Sequence, residues 1–209
     1  MSDRYIRQAR MFDPAQHANT RIVIAGLGNI GSHTALALAR MGLRRFTLYD
    51  FDTVEEHNLA SQAYSAADVG QLKVEAIKNH MLALNPEARV TWHNEPYRGQ
   101  VADDVVISAV DSLDARRTIA EGLRDSGAFV VDGRMGGGQI EVHSQPASEW
   151  AATIPDEASS DPCGARYISY TSYIIAGLIA NNVKRHLSGE SVAKRILMHA
   201  DTLEMIVTR

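Results

Sequence analysis

The stretch "RIVIAGLGNIGSHTALALARMG", residues 21–42, decides the fold of this 209-residue chain. Its first six residues, RIVIAG, form a short apolar run that is typical of a buried β-strand. Good helix formers then extend from Asn29 to Met41, and Gly42 stands where an α-helix commonly ends. A strand, a turn and a helix in this order predict the first unit of a mostly parallel α/β sheet.

The turn between this strand and this helix is rich in glycine. "GLGNIG" places Gly26, Gly28 and Gly31 in GxGxxG spacing, which lets a phosphate approach the helix N-terminus, where free N–H groups favour an anion. The next strand, FTLYD, ends about twenty residues later at Asp50, where a carboxylate can accept hydrogen bonds from a ribose hydroxyl. Together these features predict a nucleotide site. The alternative is a glycine-rich turn without a ligand, in which case the position of Asp50 would be a coincidence.

Apolar runs and helical patterns alternate along the rest of the chain. Four further runs predict strands, "RVTWH", "DVVISAVD", "AFVVDGR" and "GQIEVHS", and the tail "RILMHADTLEMIVT" predicts a hairpin. "QLKVEAIKNHMLALN" and residues 114–124 predict helices, and the uncharged stretch 167–183 predicts a buried one. We therefore expect one α/β domain over residues 1–209, with a Rossmann-like, mostly parallel sheet flanked by helices and an antiparallel extension at its C-terminal side.

Composition excludes several classes of protein. The formal net charge of −4 and the lack of a Lys/Arg-rich run argue against a nucleic-acid partner. The stretch 167–183 is too short and too polar to span a membrane. A single cysteine cannot form an internal disulfide or the paired CxxC motifs of a zinc site, so we expect no structural zinc. The polar start of the chain does not resemble a signal peptide, and we expect a cytoplasmic protein.

Two charged residues suggest what chemistry accompanies the nucleotide. Asp111 lies at the carboxyl end of the strand "VISAVD", the edge of a parallel sheet at which ligands bind. A lone carboxylate there suits hydrated magnesium, which takes one or two protein carboxylates together with phosphate oxygens. Lys73, after "VGQL", is either a point charge for phosphates or a solvated surface lysine. The long polar segment from residue 51 to residue 70 is expected to be a functional loop.

Several motifs follow one another in order over residues 4 to 145. They are "RYIRQ", "GLGNIG", "LYDFDTVEEHNLASQ", "VGQLKVEA", "LNPEARV", "AVDSLDARR" and "DGRMGGGQIEV". In order and approximate spacing they resemble the ThiF/MoeB/HesA family of E1-like adenylyltransferases. The resemblance implies ATP·Mg-dependent adenylation of a carboxylate, typically the C-terminal glycine of a ubiquitin-like or sulfur-carrier protein, or of a peptide. Catalysis of this kind depends on positioning and on neutralising phosphate charge.

The resemblance also implies roles for individual residues. Asp50, with Asp52 nearby, would hold the ribose. Asn58 and Gln62 would lie near the phosphates, Lys73 would contact them, and Asp111 would bind magnesium. Arg7 matches an arginine that in this family reaches into the ATP site of a neighbouring subunit, which implies a homodimer. The alternative for Arg7 is a solvated side chain on a mobile terminus.

The sequence departs from the family pattern at one phosphate-directed position. Where the family usually has arginine in Asn-Leu-x-Arg-Gln, this chain has Ser61 in "NLASQ". Either Arg10, Arg134 or another cation replaces the missing charge, or the activity is weak. A structural role for Arg134 is an equal alternative.

Cys163, in "PCGAR", is the only cysteine and has two interpretations. Some E1-like enzymes transfer the activated carboxylate to a cysteine as a thioester, and this context loosely resembles theirs. Arg166 and a following helix start would favour the thiolate. The alternative is a small apolar residue that fills space.

Three functions therefore stay open at this point. The first is an E1-like adenylyltransferase. The second is a non-catalytic E1-like subunit that binds a partner, which Ser61 favours. The third is an NAD(P)-dependent oxidoreductase, which only the glycine loop and Asp50 favour.

Overall fold

A computed structural model describes residues 3–101, 103–156 and 168–209. Over these residues, eight strands form one sheet in the order β3-β2-β1-β4-β5-β6-β7-β8. The strands are β1 (Arg21–Ala25), β2 (Arg45–Tyr49), β3 (Arg89–His93), β4 (Val105–Ser108), β5 (Phe129–Gly136), β6 (Gln139–Pro146), β7 (Arg195–His199) and β8 (Glu204–Thr208). The predicted fold class is confirmed, and every predicted strand is present.

The first five strands are parallel, and the chain reverses its order along the sheet between β1 and β4. Four of the five residues of β1 and all four of β4 are buried, because helices cover both faces of this part of the sheet. Ligands of open α/β sheets bind at the carboxyl ends of the strands beside such a reversal. The fold therefore directs attention to the loops that follow β1 and β4.

The last three strands form the predicted antiparallel extension. β6 pairs with β5, β7 with β6 and β8 with β7. The hairpin expected in the tail is confirmed, with its two strands joined through residues 200–203. All five residues of β8 are exposed.

Five α-helices flank the sheet in the described part of the chain. They are α1 (Asn29–Arg40), α2 (Lys73–Leu84), α3 (Leu113–Leu123), α4 (Ala147–Trp150) and α5 (Ser169–Leu187). Side chains of α1, α2 and α5 share one hydrophobic core with one face of the sheet, and side chains of α3 and α4 share a second core with the other face. Ile22 and Ile24 of β1 point into the first core and Val23 into the second, as the alternation along a strand requires.

Two boundaries differ from the sequence prediction. β4 ends at Ser108, so Asp111 lies three residues beyond the strand instead of at its last position. β6 continues to Pro146, two residues beyond the run "GQIEVHS" that predicted it, and the single turn of α4 follows. The buried helix predicted for the uncharged stretch is present as α5, whose buried residues lie along one face. None of the described helices combines the length and the apolar character that crossing a bilayer requires.

Candidate functional site

The turn between β1 and α1 is tightly packed where two of its glycines lie. Gly26 has φ 85°, a backbone conformation that favours glycine, and its N–H donates to the Tyr49 carbonyl at 2.9 Å. A Cβ at Gly31 would lie 1.8 Å from the Gly26 carbonyl oxygen, so only glycine lets α1 start this close to β1. The tight turn predicted from the sequence therefore requires glycine at both positions for steric reasons.

Gly28, in contrast, faces open space. Apart from the two chain neighbours, no described residue has a heavy atom within 4 Å of the Cβ that another residue would carry there. Gly28 is the N-cap of α1, and no side chain of the described part of the chain caps that helix end. The first N–H groups of a helix have no partner within the helix, and the helix dipole makes this end favourable for an anion. An open cradle beside these groups fits a phosphate.

Asp50 follows β2 and connects the glycine turn with the loop after it. Its Oδ2 accepts a hydrogen bond from the Leu27 N–H at 2.6 Å and its Oδ1 one from the Asp52 N–H at 2.9 Å. The side chain is buried, and this burial raises the pKa of the carboxyl above its ordinary value, although the two N–H groups oppose the shift. Asp50 therefore lies beside the open cradle at Gly28.

Lys73 is a buried residue and not the solvated surface lysine of the alternative interpretation. It begins α2, and only 6% of its surface is exposed. Its Nζ donates to Asp52 Oδ2 at 2.8 Å, and its N–H donates to the Asp52 carbonyl at 3.0 Å. The Asp52 N–H is also hydrogen-bonded to Asp50. Hydrogen bonds therefore connect the glycine turn, the two aspartates and Lys73 in one group. Asp52 is half exposed, so this group is accessible from solvent.

The segment between Asp52 and Lys73 folds back onto α1. Asn58 is buried, and its Oδ1 accepts from the Glu55 N–H at 2.9 Å, which closes a 3₁₀ turn at Glu56–Asn58. Gln62 has a buried Oε1 without a hydrogen-bond partner among the described residues. Tyr64 donates its hydroxyl to the Leu27 carbonyl at 2.7 Å. Asn58 therefore has a structural role, whereas Gln62 keeps an unused acceptor beside the site.

Asp111 lies on the loop from β4 to α3 and is exposed. Two residues before it, the Ala109 carbonyl oxygen would lie 2.7 Å from a Cβ at Gly26, so this loop adjoins the glycine turn. Magnesium commonly keeps several waters and binds one or two carboxylates plus phosphate oxygens. A single exposed carboxylate next to a phosphate cradle fits that requirement. In the described residues, no cluster of three or more His, Cys, Asp or Glu side chains could hold a metal by itself.

Ser61, which stands in the place of the family arginine, lies at the start of α1. Its Oγ donates to Asn29 Oδ1 at 2.7 Å, and its carbonyl oxygen accepts from His33 Nε2 at 3.0 Å. Burial lowers the pKa of His33, so that this side chain is neutral at physiological pH. Position 61 is thus next to the phosphate cradle but brings no positive charge to it.

Neither Arg134 nor Arg10 brings this charge to the cradle of its own chain. Arg134 donates to Asp132 Oδ2 at 2.8 Å and to the Thr153 carbonyl at 2.9 Å, which confirms the structural alternative for it. Arg10 belongs to the N-terminal segment, in which Gln8 Nε2 donates to the Met41 carbonyl just after α1. Arg10 therefore lies near the C-terminal end of α1, away from the cradle at Gly28.

The same geometry places Arg7 away from the glycine turn of its own chain. Arg7 is exposed and lies between Tyr5 and Gln8, and both of these pack at the C-terminal end of α1. The twelve residues of α1 separate this end from the cradle by about 18 Å. Arg7 therefore does not reach the site that its own chain builds.

A buried ionic network that was not predicted from the sequence lies next to this site. Asp132 of β5 has no exposed surface, and Arg116 Nε donates to its Oδ1 at 3.0 Å. Trp150 Nε1 donates to Oδ2 at 3.3 Å, on the same oxygen as Arg134. A buried carboxylate needs such partners, and the signal in the sequence was an aspartate inside an apolar strand. Cys163 and Arg166 lie outside the described residues.

Comparison with known proteins identifies the family. The model of the ThiF family matches residues 5–209. This chain belongs to the ThiF family. A curated relative, the tRNA threonylcarbamoyladenosine dehydratase of Escherichia coli (strain K12), is 32% identical over 147 residues, which are 66% of this chain and 55% of that protein. The ubiquitin-like modifier-activating enzyme 5 of Dictyostelium discoideum is 26% identical over 163 residues, which are 69% of this chain and 41% of that protein. This ThiF-family chain thus spans about half the length of these relatives.

Solved structures of E. coli MccB share the fold. With MccA-N7isoASN the TM-score is 0.86 at 20% identity, and with ATP it is 0.83 at 19% identity. Both comparisons cover the whole of this ThiF-family chain and 72% of the MccB chain. The expected resemblance to the family is therefore confirmed by sequence and by fold.

Proposed function

We propose that this protein is an E1-like adenylyltransferase that uses ATP and Mg²⁺ to activate the C-terminal carboxylate of a ubiquitin-like protein, a sulfur-carrier protein or a peptide. The observation that carries this proposal is the open cradle at Gly28, flanked by a connected set of Asp50, Asp52 and Lys73 and by the exposed Asp111. The names of the relatives support it, since one activates a ubiquitin-like modifier and MccB has been solved with ATP.

In the proposed reaction, an oxygen of the substrate carboxylate attacks the α-phosphorus of ATP. A bond forms between this oxygen and phosphorus, and the bond from the α-phosphorus to the bridging oxygen breaks, so that pyrophosphate leaves with the electron pair. The substrates contain all the atoms of this step, and the protein has to position them and to neutralise charge.

Each part of the site has a task in this proposal. Asp50 accepts from the ribose, and the N–H groups at the start of α1 donate to phosphate oxygens. The Lys73 ammonium, fixed by Asp52, provides positive charge near the phosphates. Asp111 would hold Mg²⁺, which neutralises phosphate charge when it is bound.

A homodimer with shared sites belongs to the same proposal. Arg7 belongs to the segment that packs at the C-terminal end of α1, and the length of this helix, about 18 Å, separates that end from the cradle. It can therefore act only in the site of another copy. We also propose a cytoplasmic location and, because the net charge is −4, a protein or peptide substrate instead of a nucleic acid.

Calorimetric titration of the purified protein with ATP plus Mg²⁺, and separately with NAD⁺ and NADP⁺, tests this proposal. We expect Mg²⁺-dependent binding of ATP that Asp111→Ala weakens and that Asp125→Ala leaves unchanged. Asp125 is an exposed carboxylate just beyond the other end of α3, so it serves as a matched control. Binding of NAD⁺ without binding of ATP would overturn the proposal in favour of an oxidoreductase.

A non-catalytic E1-like subunit is the second candidate, and Ser61 favours it because no arginine stands at this phosphate-directed position. Exchange of labelled pyrophosphate into ATP separates the two candidates. An adenylyltransferase catalyses this exchange in the presence of a suitable C-terminal glycine peptide or carrier protein. A protein that binds ATP but exchanges pyrophosphate with none of a panel of such carboxylates fits the non-catalytic subunit.

A further inference from the structure

The loop that carries Ser61 is joined to the first two turns of α1 by three hydrogen bonds. Ser61 Oγ donates to Asn29 Oδ1, and His33 Nε2 donates to the Ser61 carbonyl. Two residues later, the Ala63 N–H donates to Ser32 Oγ at 3.0 Å. Ser61 is therefore held in a fixed position over the helix start.

The bond from Ser61 leaves one end of the Asn29 side chain for a ligand. A carboxamide has one oxygen acceptor and an NH₂ group with two donors. Because Oδ1 accepts from the Ser61 hydroxyl, Nδ2 is the end of the carboxamide that points away from Ser61. Nδ2 makes no hydrogen bond to a described residue, and Asn29 is only partly buried. The NH₂ group is thus an oriented and available donor.

Asn29 also lies along the path that a nucleotide would follow. Asp50, the proposed ribose acceptor, is bonded to the N–H of Leu27, and the chain then passes through Gly28 to Asn29. A nucleotide with its ribose at Asp50 would direct its phosphates over Gly28. The phosphates farthest from the ribose would then lie nearest Asn29.

We propose that the Asn29 carboxamide binds the β- or γ-phosphate of ATP, and that Ser61 is the positioning residue that orients it. This pair then supplies, with neutral groups, the phosphate contact that the resemblance assigns to an arginine at position 61. The inference rests on the proposed function, because it assumes that the cradle at Gly28 binds ATP.

The consequence is a specific pattern of nucleotide affinities. A single hydrogen bond to a charged group corresponds to about tenfold in affinity. Asn29→Ala removes the donor, and Ser61→Ala removes the group that orients it. Each variant should therefore weaken binding of ATP by about tenfold. Neither should weaken binding of AMP, which has no β- or γ-phosphate.

A double-mutant cycle with calorimetric titration of ATP and AMP tests the inference. Since Ser61 acts through Asn29, the variant with both substitutions should bind ATP no more weakly than Asn29→Ala alone. Ser61→Thr keeps the hydroxyl and should retain at least part of the wild-type affinity. A thermal melt of each variant shows whether the fold is intact, and unchanged AMP binding gives the same information for the ribose end of the site.

The possible outcomes separate this inference from the proposed function. Equal losses for ATP and AMP, or additive losses in the double variant, overturn the inference while ATP binding by the wild type leaves the proposed function standing. A wild-type protein that binds no ATP overturns both. An ATP-specific loss that is shared and non-additive supports the inference.

Discussion

Among single residues, Asp50 is the centre of the candidate site. It accepts two backbone N–H groups, one from the glycine turn and one from the loop before α2, and it is buried between them. Burial disfavours the charged carboxylate and raises the pKa of Asp50. The buried position that places this side chain in the site therefore also makes it harder to ionise.

The raised pKa of Asp50 predicts how nucleotide binding depends on pH. The carboxylate form accepts from a ribose, and this form is lost as the pH falls through the raised pKa, at a higher pH than the value of about 3.9 for an ordinary aspartate would give. AMP affinity of the wild type should therefore fall towards that of Asp50→Asn as the medium is acidified below neutral. Calorimetric titration of both proteins over the same pH series measures this difference, and a constant ratio of affinities would contradict the ribose role.

At the scale of the elements, the turn that joins β1 to α1 requires its glycines for two different reasons. At Gly31 the helix approaches the strand so closely that a Cβ would overlap a carbonyl oxygen. At Gly28 the same turn leaves space in front of the helix N-terminus. One motif thus combines a packing requirement with a binding requirement.

The two glycines should respond differently to alanine. Gly31→Ala forces α1 away from β1, and we expect it to lower the free energy of unfolding by about 3 kcal/mol or more, as severe overpacking does. Gly28→Ala meets no neighbour, so it should change that free energy by less than about 1 kcal/mol while weakening ATP binding, because the methyl group fills the cradle. Urea unfolding and calorimetric titration of both variants measure the two effects. Similar losses of stability in the two variants would contradict the presence of open space at Gly28.

The antiparallel extension has its own ionic anchor, between β6 and β7. His143 Nε2 lies 2.9 Å from Glu141 Oε1, and Arg195 Nε donates to the same oxygen at 2.7 Å. The contact with His143, and secondly the one with Arg195, lowers the pKa of Glu141 to about 2. The anchor joins the two strands by charge as well as by backbone bonds.

This shift predicts a stability that depends on pH. A carboxyl whose pKa is lower in the folded state stabilises the fold above its unfolded pKa of about 4.3, and this contribution disappears as the pH falls towards about 2. At pH 7, Glu141→Gln should lower the free energy of unfolding by about 1 kcal/mol after allowance for solvent screening. Urea unfolding along a pH series should show this difference shrinking in acid. Glu149→Gln, at a more exposed ion pair with Lys194, is the control and should have almost no effect.

At the scale of the whole molecule, the position of Arg7 bears on oligomeric state. The N-terminal segment packs at the C-terminal end of α1, and the cradle lies at the other end of that helix. A site that needs Arg7 is therefore complete only when a second copy supplies it. A symmetric dimer would exchange this residue in both directions.

Mixing two inactive variants tests such an exchange. If Arg7→Ala and Asp111→Ala each abolish pyrophosphate exchange, an equal mixture that is allowed to re-associate should recover about a quarter of wild-type activity, since half of the dimers then contain one intact site. Light scattering checks that the variants are dimers. An inactive mixture of confirmed heterodimers would show that each chain builds its site alone.

The sequence by itself determined the local and repeating features of this protein. The apolar run of β1, the glycine turn and the helix formers of α1 act over neighbouring residues, so their structure follows from steric and periodic rules. The alternation of strands and helices then specified the parallel sheet, and the two runs of the tail on either side of Asp201 and Thr202 specified β7 and β8. Gly26, Gly28 and Gly31 share one turn for the same reason, and Asp50 meets that turn because β1 and β2 are parallel neighbours whose carboxyl ends lie at one edge of the sheet.

Only the tertiary structure decided which side chains meet. The burial of Lys73 against Asp52, the bond from Ser61 to Asn29 and the ionic network around Asp132 join residues that are distant in sequence. The same is true of Arg7, whose distance from the cradle depends on where the N-terminal segment packs. These contacts result from the packing of whole elements and from the need of buried charges and polar groups for partners, which local patterns do not encode.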